Sequence, residues 1–161
     1  MALTPAQQAT LKAAIEADGT LNAFPNDGDG AFAIAQLLNQ PFNPAWTVWK
    51  TFVSLTEVGN NFDGAEVEGL TTAESNRLQV MAGYSADGIN PSLLDRRAFF
   101  AGVFSGAGGT VTRPKLDALW RRLATYGEKI FSTGTGTSVS PATLTFEGSL
   151  SYQDVLAARN S

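Results

Sequence analysis

Pro114-Lys115-Leu116-Asp117-Ala118-Leu119-Trp120-Arg121-Arg122-Leu123-Ala124-Thr125-Tyr126-Gly127-Glu128-Lys129-Ile130-Phe131 is the stretch on which the fold turns. Leu116, Leu119, Trp120, Leu123, Tyr126, Gly127 and Ile130 mark one stripe at helical spacing, while Arg121, Arg122, Glu128 and Lys129 decorate the rest. Thr112 is a candidate N-cap. The pattern predicts a central helix from Pro114 to Phe131, and with it a mainly α fold.

Upstream, the chain is punctuated by helix-start chemistry. Thr4-Pro5-Ala6-Gln7 combines an N-cap threonine, a proline at the first helical position and a glutamine able to close a capping box. A helix to Ala17 follows, with Leu3, Leu11, Ala14 and Ile15 on one side and a stop at Asp18-Gly19. In the turn-rich Pro25 to Gly30 segment, Asp29 is expected to cap a short apolar helix from Ala31 to Asn39. Ala45 to Val53 is apolar on most sides. Its β-favouring residues admit a strand, but the Asn43-Pro44 start tips the expectation to a helix. Ser54-Leu55-Thr56-Glu57 and Thr71-Thr72-Ala73-Glu74 repeat the capping-box pattern, and Asn90-Pro91 is expected to begin a further helix.

Downstream the style changes. Ser132 to Ser140 is small and uncharged, a run unable to bury enough apolar surface to order itself. From Pro141 to Leu150 the chain alternates, with Leu144, Phe146 and Leu150 one way and Thr143, Thr145 and Glu147 the other, as in a strand or hairpin. Ser151-Tyr152-Gln153-Asp154 caps a final short helix to Arg159. The expected organisation is a compact multi-helix body over residues 1–131. Residues 132–161 are expected to form an assembly arm of flexible linker, strand and short helix, and truncation at Ser132 should leave a folded body.

Composition subtracts many functions. Among 161 residues there is no cysteine and no histidine. Disulfides, thiolate nucleophiles, Cys/His zinc sites and imidazole acid–base chemistry are therefore excluded. The 43% hydrophobic content supplies a core. No apolar run approaches the ~20 residues of a membrane helix, and Met1 to Gln8 lacks a basic leader segment, so a soluble protein with no membrane partner is expected. Charge is uneven. Residues 1–89 carry three basic and ten acidic side chains, a net of −7, whereas residues 90–131 carry seven and three, a net of +4.

No catalytic motif survives inspection. Asp27-Gly28-Asp29-Gly30 resembles the front of a calcium loop, but alignment on Gly30 puts Pro25 and Gln36 at ligand positions. Gly134-Thr135-Gly136 lacks the third glycine and the preceding strand of a phosphate loop. Gly83-Tyr84-Ser85-Ala86-Asp87 misses the last glycine of a nucleophile elbow. Asp63, Glu66 and Glu68 read as an acidic face. No enzyme, cofactor or metal is expected. The candidate contact residues are instead Arg96, Arg97, Arg121 and Arg122, as anchors for an acidic surface. Within the arm they are Gly134, Gly136, Leu144, Phe146, Leu150 and Tyr152. Trp46, Trp49, Phe52, Phe99, Phe100, Trp120 and Tyr126 read as core, with some candidates for interface anchors.

Several segments carry a resemblance: Leu3 to Gln7, Asn26 to Ala35, Trp46 to Lys50, Arg122 to Phe131, the Thr-Gly-Thr-Gly run, Ser140 to Gly148 and Ser151 to Val155. In these the chain resembles small proteins from the virion-structure gene clusters of tailed bacteriophages. The resemblance implies a head-to-tail adaptor of the neck, mainly helical, forming a ring of identical copies on the portal protein. It further implies contact with the next neck or tail protein, passage of DNA without sequence specificity, and location in a virion assembled in the host cytoplasm. The alternative expectation is a small phage-encoded inhibitor that binds a host protein complex through an acidic surface.

Overall fold

In the computed structural model, which describes residues 3–85 and 87–161, the stretch from Pro114 to Phe131 is not one helix. It is a helix over Thr112–Leu119, a strand over Arg121–Leu123 and a second helix over Tyr126–Ile130. The reason lies in competing backbone partners. The Trp120 carbonyl accepts from the Lys50 N–H at 2.8 Å, and the Ala124 N–H donates to the Trp46 carbonyl at 2.9 Å, so neither serves a continuing helical ladder. Thr125 and Glu128 then close a fresh capping box.

In chain order, the described residues form α1 (Pro5–Ala17), α2 (Gly19–Asn22), α3 (Gly28–Leu38), β1 (Thr47–Trp49), α4 (Leu55–Asn60), α5 (Gly64–Glu68), α6 (Thr72–Tyr84) and α7 (Leu94–Val103). A 3-10 turn (Gly106–Gly109) precedes α8 (Thr112–Leu119), β2 (Arg121–Leu123), α9 (Tyr126–Ile130), β3 (Ser132–Thr133), β4 (Thr143–Leu144) and α10 (Tyr152–Arg159). The fold is mainly α, with two small strand pairs, β1 with β2 and β3 with β4. The helix expected over Ala45 to Val53 is replaced by β1. The Thr47 N–H donates to the Gly136 carbonyl at 2.7 Å, and the Thr47 carbonyl accepts from Ala142 at 2.9 Å. Aromatic and β-branched residues suit such a pleated, half-buried position.

The chain divides into two compact units, one comprising residues up to Val48 together with Leu123–Ser161, the other Trp49–Arg122. This differs from the expected boundary after Phe131. In unit 1, α10 packs on α1 and α3, and Leu150, Val155 and Ala158 join Leu11, Ile15, Ile34 and Leu38 in one core. Residues 132–161 are thus built into unit 1. Their alternating apolar residues find partners within the chain: β4 pairs antiparallel with β3, and Phe146 packs on Phe131 at a ring separation of 5.2 Å. Leu150 is tied by both backbone groups to the Asn39 side chain, at 2.9 and 2.8 Å. The Gly/Thr run turns through Gly134 and Gly136, both at positive φ.

Capping accounts for most helix starts. The boxes at Thr4, Ser54, Thr71 and Ser151 all form. Two starts shift. Asp27, not Asp29, caps α3, because its side chain accepts from the Gly30 N–H at 2.8 Å. Asn90 accepts from both the N–H and the hydroxyl of Ser92, closing a turn that delays α7 to Leu94.

Unit 2 has its own core of Val53, Val58, Ile89, Phe100, Val103, Phe104, Leu116 and Trp120. The apolar stripe expected along one helix is therefore shared out. Leu116 and Trp120 serve unit 2, while Tyr126 and Ile130 pack on the core of unit 1.

Candidate functional site

In unit 2, residues of α7 and α8 enclose a groove of about 550 Å³. Leu94, Arg97, Ala98 and Ala101 line it from α7 at the i, i+3, i+4, i+7 spacing of one helix face. Arg113, Pro114 and Asp117 of α8, with Thr110 just ahead of that helix, form the opposite wall. The buried rings of Phe100 and Trp120 form the floor with Leu116, and half-buried Trp49 closes one side. The two exposed α7 alanines keep that wall low above the buried floor.

The arginines are held in place by neighbouring groups. Arg97 donates through Nη1 to the Pro91 carbonyl, and its guanidinium carbon lies 4.0 Å from the centroid of Trp49. Such stacking contributes about 0.5–2 kcal/mol. Arg121 approaches the same ring at 5.3 Å and forms an ion pair with Asp117 at 3.3 Å. Arg113 donates through Nε to the Gly109 carbonyl at 3.1 Å and through Nη2 to that of Gly106 at 3.2 Å. Gly109 has no room for a side chain, since a Cβ there would lie 2.0 Å from the Phe104 carbonyl oxygen. Partial burial pushes the Arg97 guanidinium down from its ordinary value; Asp117 opposes this and Arg121 adds to it. Arg97 remains a cation throughout the physiological range. Trp120 Nε1 is buried without a hydrogen-bond partner among the described residues. The groove is rich in donors, apolar at its base and edged by cations, a combination suited to an apolar side chain flanked by carboxylates.

The expected contact residues separate. Arg97 lines the groove, and Arg121 reaches its Trp49 and Asp117. Arg96 lies in a different, open hollow with Arg77, Val80, Tyr84 and Phe99, where it approaches Met81 Sδ at 3.4 Å. Arg122 is half-buried in β2. The arm residues belong to unit 1. Leu150 is buried in its core, Phe146 packs against that core, and Leu144 packs on Val48, Ala124 and Ala142. Gly136 lies against the Trp46 ring, and Gly134 faces Ala142. Tyr152, 44% exposed, opens α10.

Sequence reading left Arg113, Asp117, Ala98 and Ala101 without a role. A signal was present in Leu94, Arg97, Ala98 and Ala101, a helix stripe mixing one cation with small residues where a core stripe would be uniformly large. Of the residues expected as an acidic face, Asp63 caps α5 and Glu66 is bonded to the start of α8, while Glu57 and Glu74 close the expected capping boxes. Glu66 accepts from the N–H groups of Val111 and Thr112 at 2.8 and 2.9 Å. Burial pushes its carboxyl up, but those bonds and the Thr112 and Thr110 hydroxyls outweigh it and hold the pKa at about 2. Among the described residues no group of three or more acidic side chains is placed to hold a metal ion.

Against protein-family models, curated proteins and solved structures, the chain finds no match.

Proposed function

We propose that this chain is a non-enzymatic structural protein of a tailed-phage virion, a neck or head-to-tail adaptor subunit whose copies pack side by side in a ring. The observation that carries the reading is the partition of charge between the units. Unit 1 bears three basic and seven acidic side chains, a net of −4. Unit 2 is neutral in sum but gathers Arg97, Arg113 and Arg121 about one apolar groove. A chain that carries both an acidic unit and a cationic recess has the complementarity that steers identical copies together.

The resemblance to neck-cluster proteins supports the placement, with the portal below and the next neck or tail protein above. A net-acidic ring also suits a channel through which DNA slides without adhering. Docking by a free arm over residues 132–161 is not part of this reading, because Leu150, Val155 and Ala158 are core residues of unit 1.

Quantitative mass spectrometry of gradient-purified particles tests it. The expected result is the chain in a fixed ratio to the portal protein. Absence from particles, with the chain accumulating in the soluble lysate, overturns the reading and favours an inhibitor acting through the acidic surface of unit 1.

A further inference from the structure

We infer that the groove between α7 and α8 is the docking site for the outward face of α3 from a second copy of this chain. The inference rests on the self-associating reading above and assigns its two surfaces. The groove has the shape of a missing helix. One wall is a single face of α7 at i, i+3, i+4, i+7 spacing, the other is formed by Arg113, Pro114 and Asp117 of α8, and exposed Leu94, Ala98, Ala101 and Pro114 give the groove apolar lips above a buried aromatic base. Leu94 at its edge is 72% exposed. A helix laid in such a groove anchors through residues at the same spacing.

Unit 1 presents a matching element. α3 buries Ala31, Ile34, Ala35 and Leu38 against its own core and turns Asp29, Phe32, Ala33, Gln36 and Leu37 outward, at i, i+3, i+4, i+7 and i+8. Phe32 is 54% exposed and Leu37 39%, a large apolar pair left uncovered on one face. At the N-terminal end of that face are two exposed carboxylates, Asp27 and Asp29. The groove supplies their complement. Arg97 and Arg113 are each oriented by backbone carbonyls, yet Arg97 Nε and Nη2 and Arg113 Nη1 have no acceptor among the described residues. Phe32 seated between Ala98, Ala101 and Pro114 with Asp27 and Asp29 beside these guanidiniums satisfies donors and apolar surface together. Because the two surfaces differ, the contact is head-to-tail and propagates into a ring where the rotation closes.

The test uses two variants of the full chain at exposed positions. Ala98→Glu places a carboxylate in the groove, and Phe32→Ser removes the anchor; Leu37→Ser is a second α3 variant, and circular dichroism checks each fold. In sedimentation velocity, the native chain is expected to associate, less so at high salt. Each variant alone is expected to dissociate with at least a tenfold weaker apparent affinity. An equimolar mixture of Ala98→Glu and Phe32→Ser retains one good groove and one good α3, so it is expected to form a 1:1 dimer that grows no further. Variants that associate as the native chain does overturn the assignment of surfaces and leave self-association standing. Dissociation by Ala98→Glu with no effect of either α3 variant overturns α3 as the occupant. A native chain that stays monomeric at every concentration overturns the inference, while particle composition decides the virion reading separately.

Discussion

At the residue scale, single polar groups do more positioning than composition suggests. Glu66 is the clearest case, a carboxylate on α5 that accepts from the start of α8 and is held at about 2, well below its ordinary 4.5. A depressed carboxylate contributes stability that is complete above the unfolded pKa and is lost as pH falls through the folded one. Glu66→Gln is therefore expected to flatten the acid limb of the unfolding curve between about pH 4.5 and pH 2 while leaving its slope near neutrality unchanged, as read by urea titrations at stepped pH. An unaltered acid limb contradicts the assignment. Gly136 is the second case. Its φ is +63°, and a Cβ would lie 2.1 Å from the Trp46 ring, which is itself fixed by Nε1 donating to Ser132 Oγ at 3.0 Å. Gly136→Ala is expected to cost about 2 kcal/mol or more, measured by chemical denaturation. A loss under about 0.5 kcal/mol, the range of an ordinary surface substitution, contradicts that packing.

At the element scale, helix starts were legible because capping is local. Thr4 with Gln7, Ser54 with Glu57, Thr71 with Glu74 and Ser151 with Asp154 lie three residues apart, and their geometry needs no distant partner. What the sequence hid was every choice settled by a remote backbone group. The stripe from Leu116 to Ile130 is helical in spacing, yet Lys50 and Trp46 take the groups at Trp120 and Ala124 that would continue the helix. Thr125 and Glu128 had the same box spacing, masked by the longer periodicity around them. The fate of residues 132–161 was hidden likewise, because composition shows that a segment cannot order alone but says nothing of a core waiting for it. Truncation after Phe131 removes Leu150, Val155 and Ala158 from that core and is expected to abolish the cooperative unfolding of unit 1. Leu150→Ala in the full chain is expected to cost roughly 2–5 kcal/mol. A truncated chain with an undiminished melt contradicts this and restores residues 132–161 as an accessory arm.

At the scale of the whole molecule, one unit is inserted within the sequence of the other, and each has a separate core. The groove was only partly legible. Its cation Arg97 and aromatic floor stood out, but the pairing of α7 with α8 around an open recess depends on tertiary placement. An acidic unit 1 with an exposed apolar α3 face and a unit 2 with a cationic recess are the two halves of the proposed repeating contact between copies. Cryo-electron microscopy of the head–tail junction of purified particles tests it most directly. The expected map shows a closed ring at the neck in which each subunit is fitted by the two units of this chain, with α3 of one copy in the α7–α8 groove of the next. A map whose neck density is fully accounted for by other chains, with no position for this fold, contradicts it.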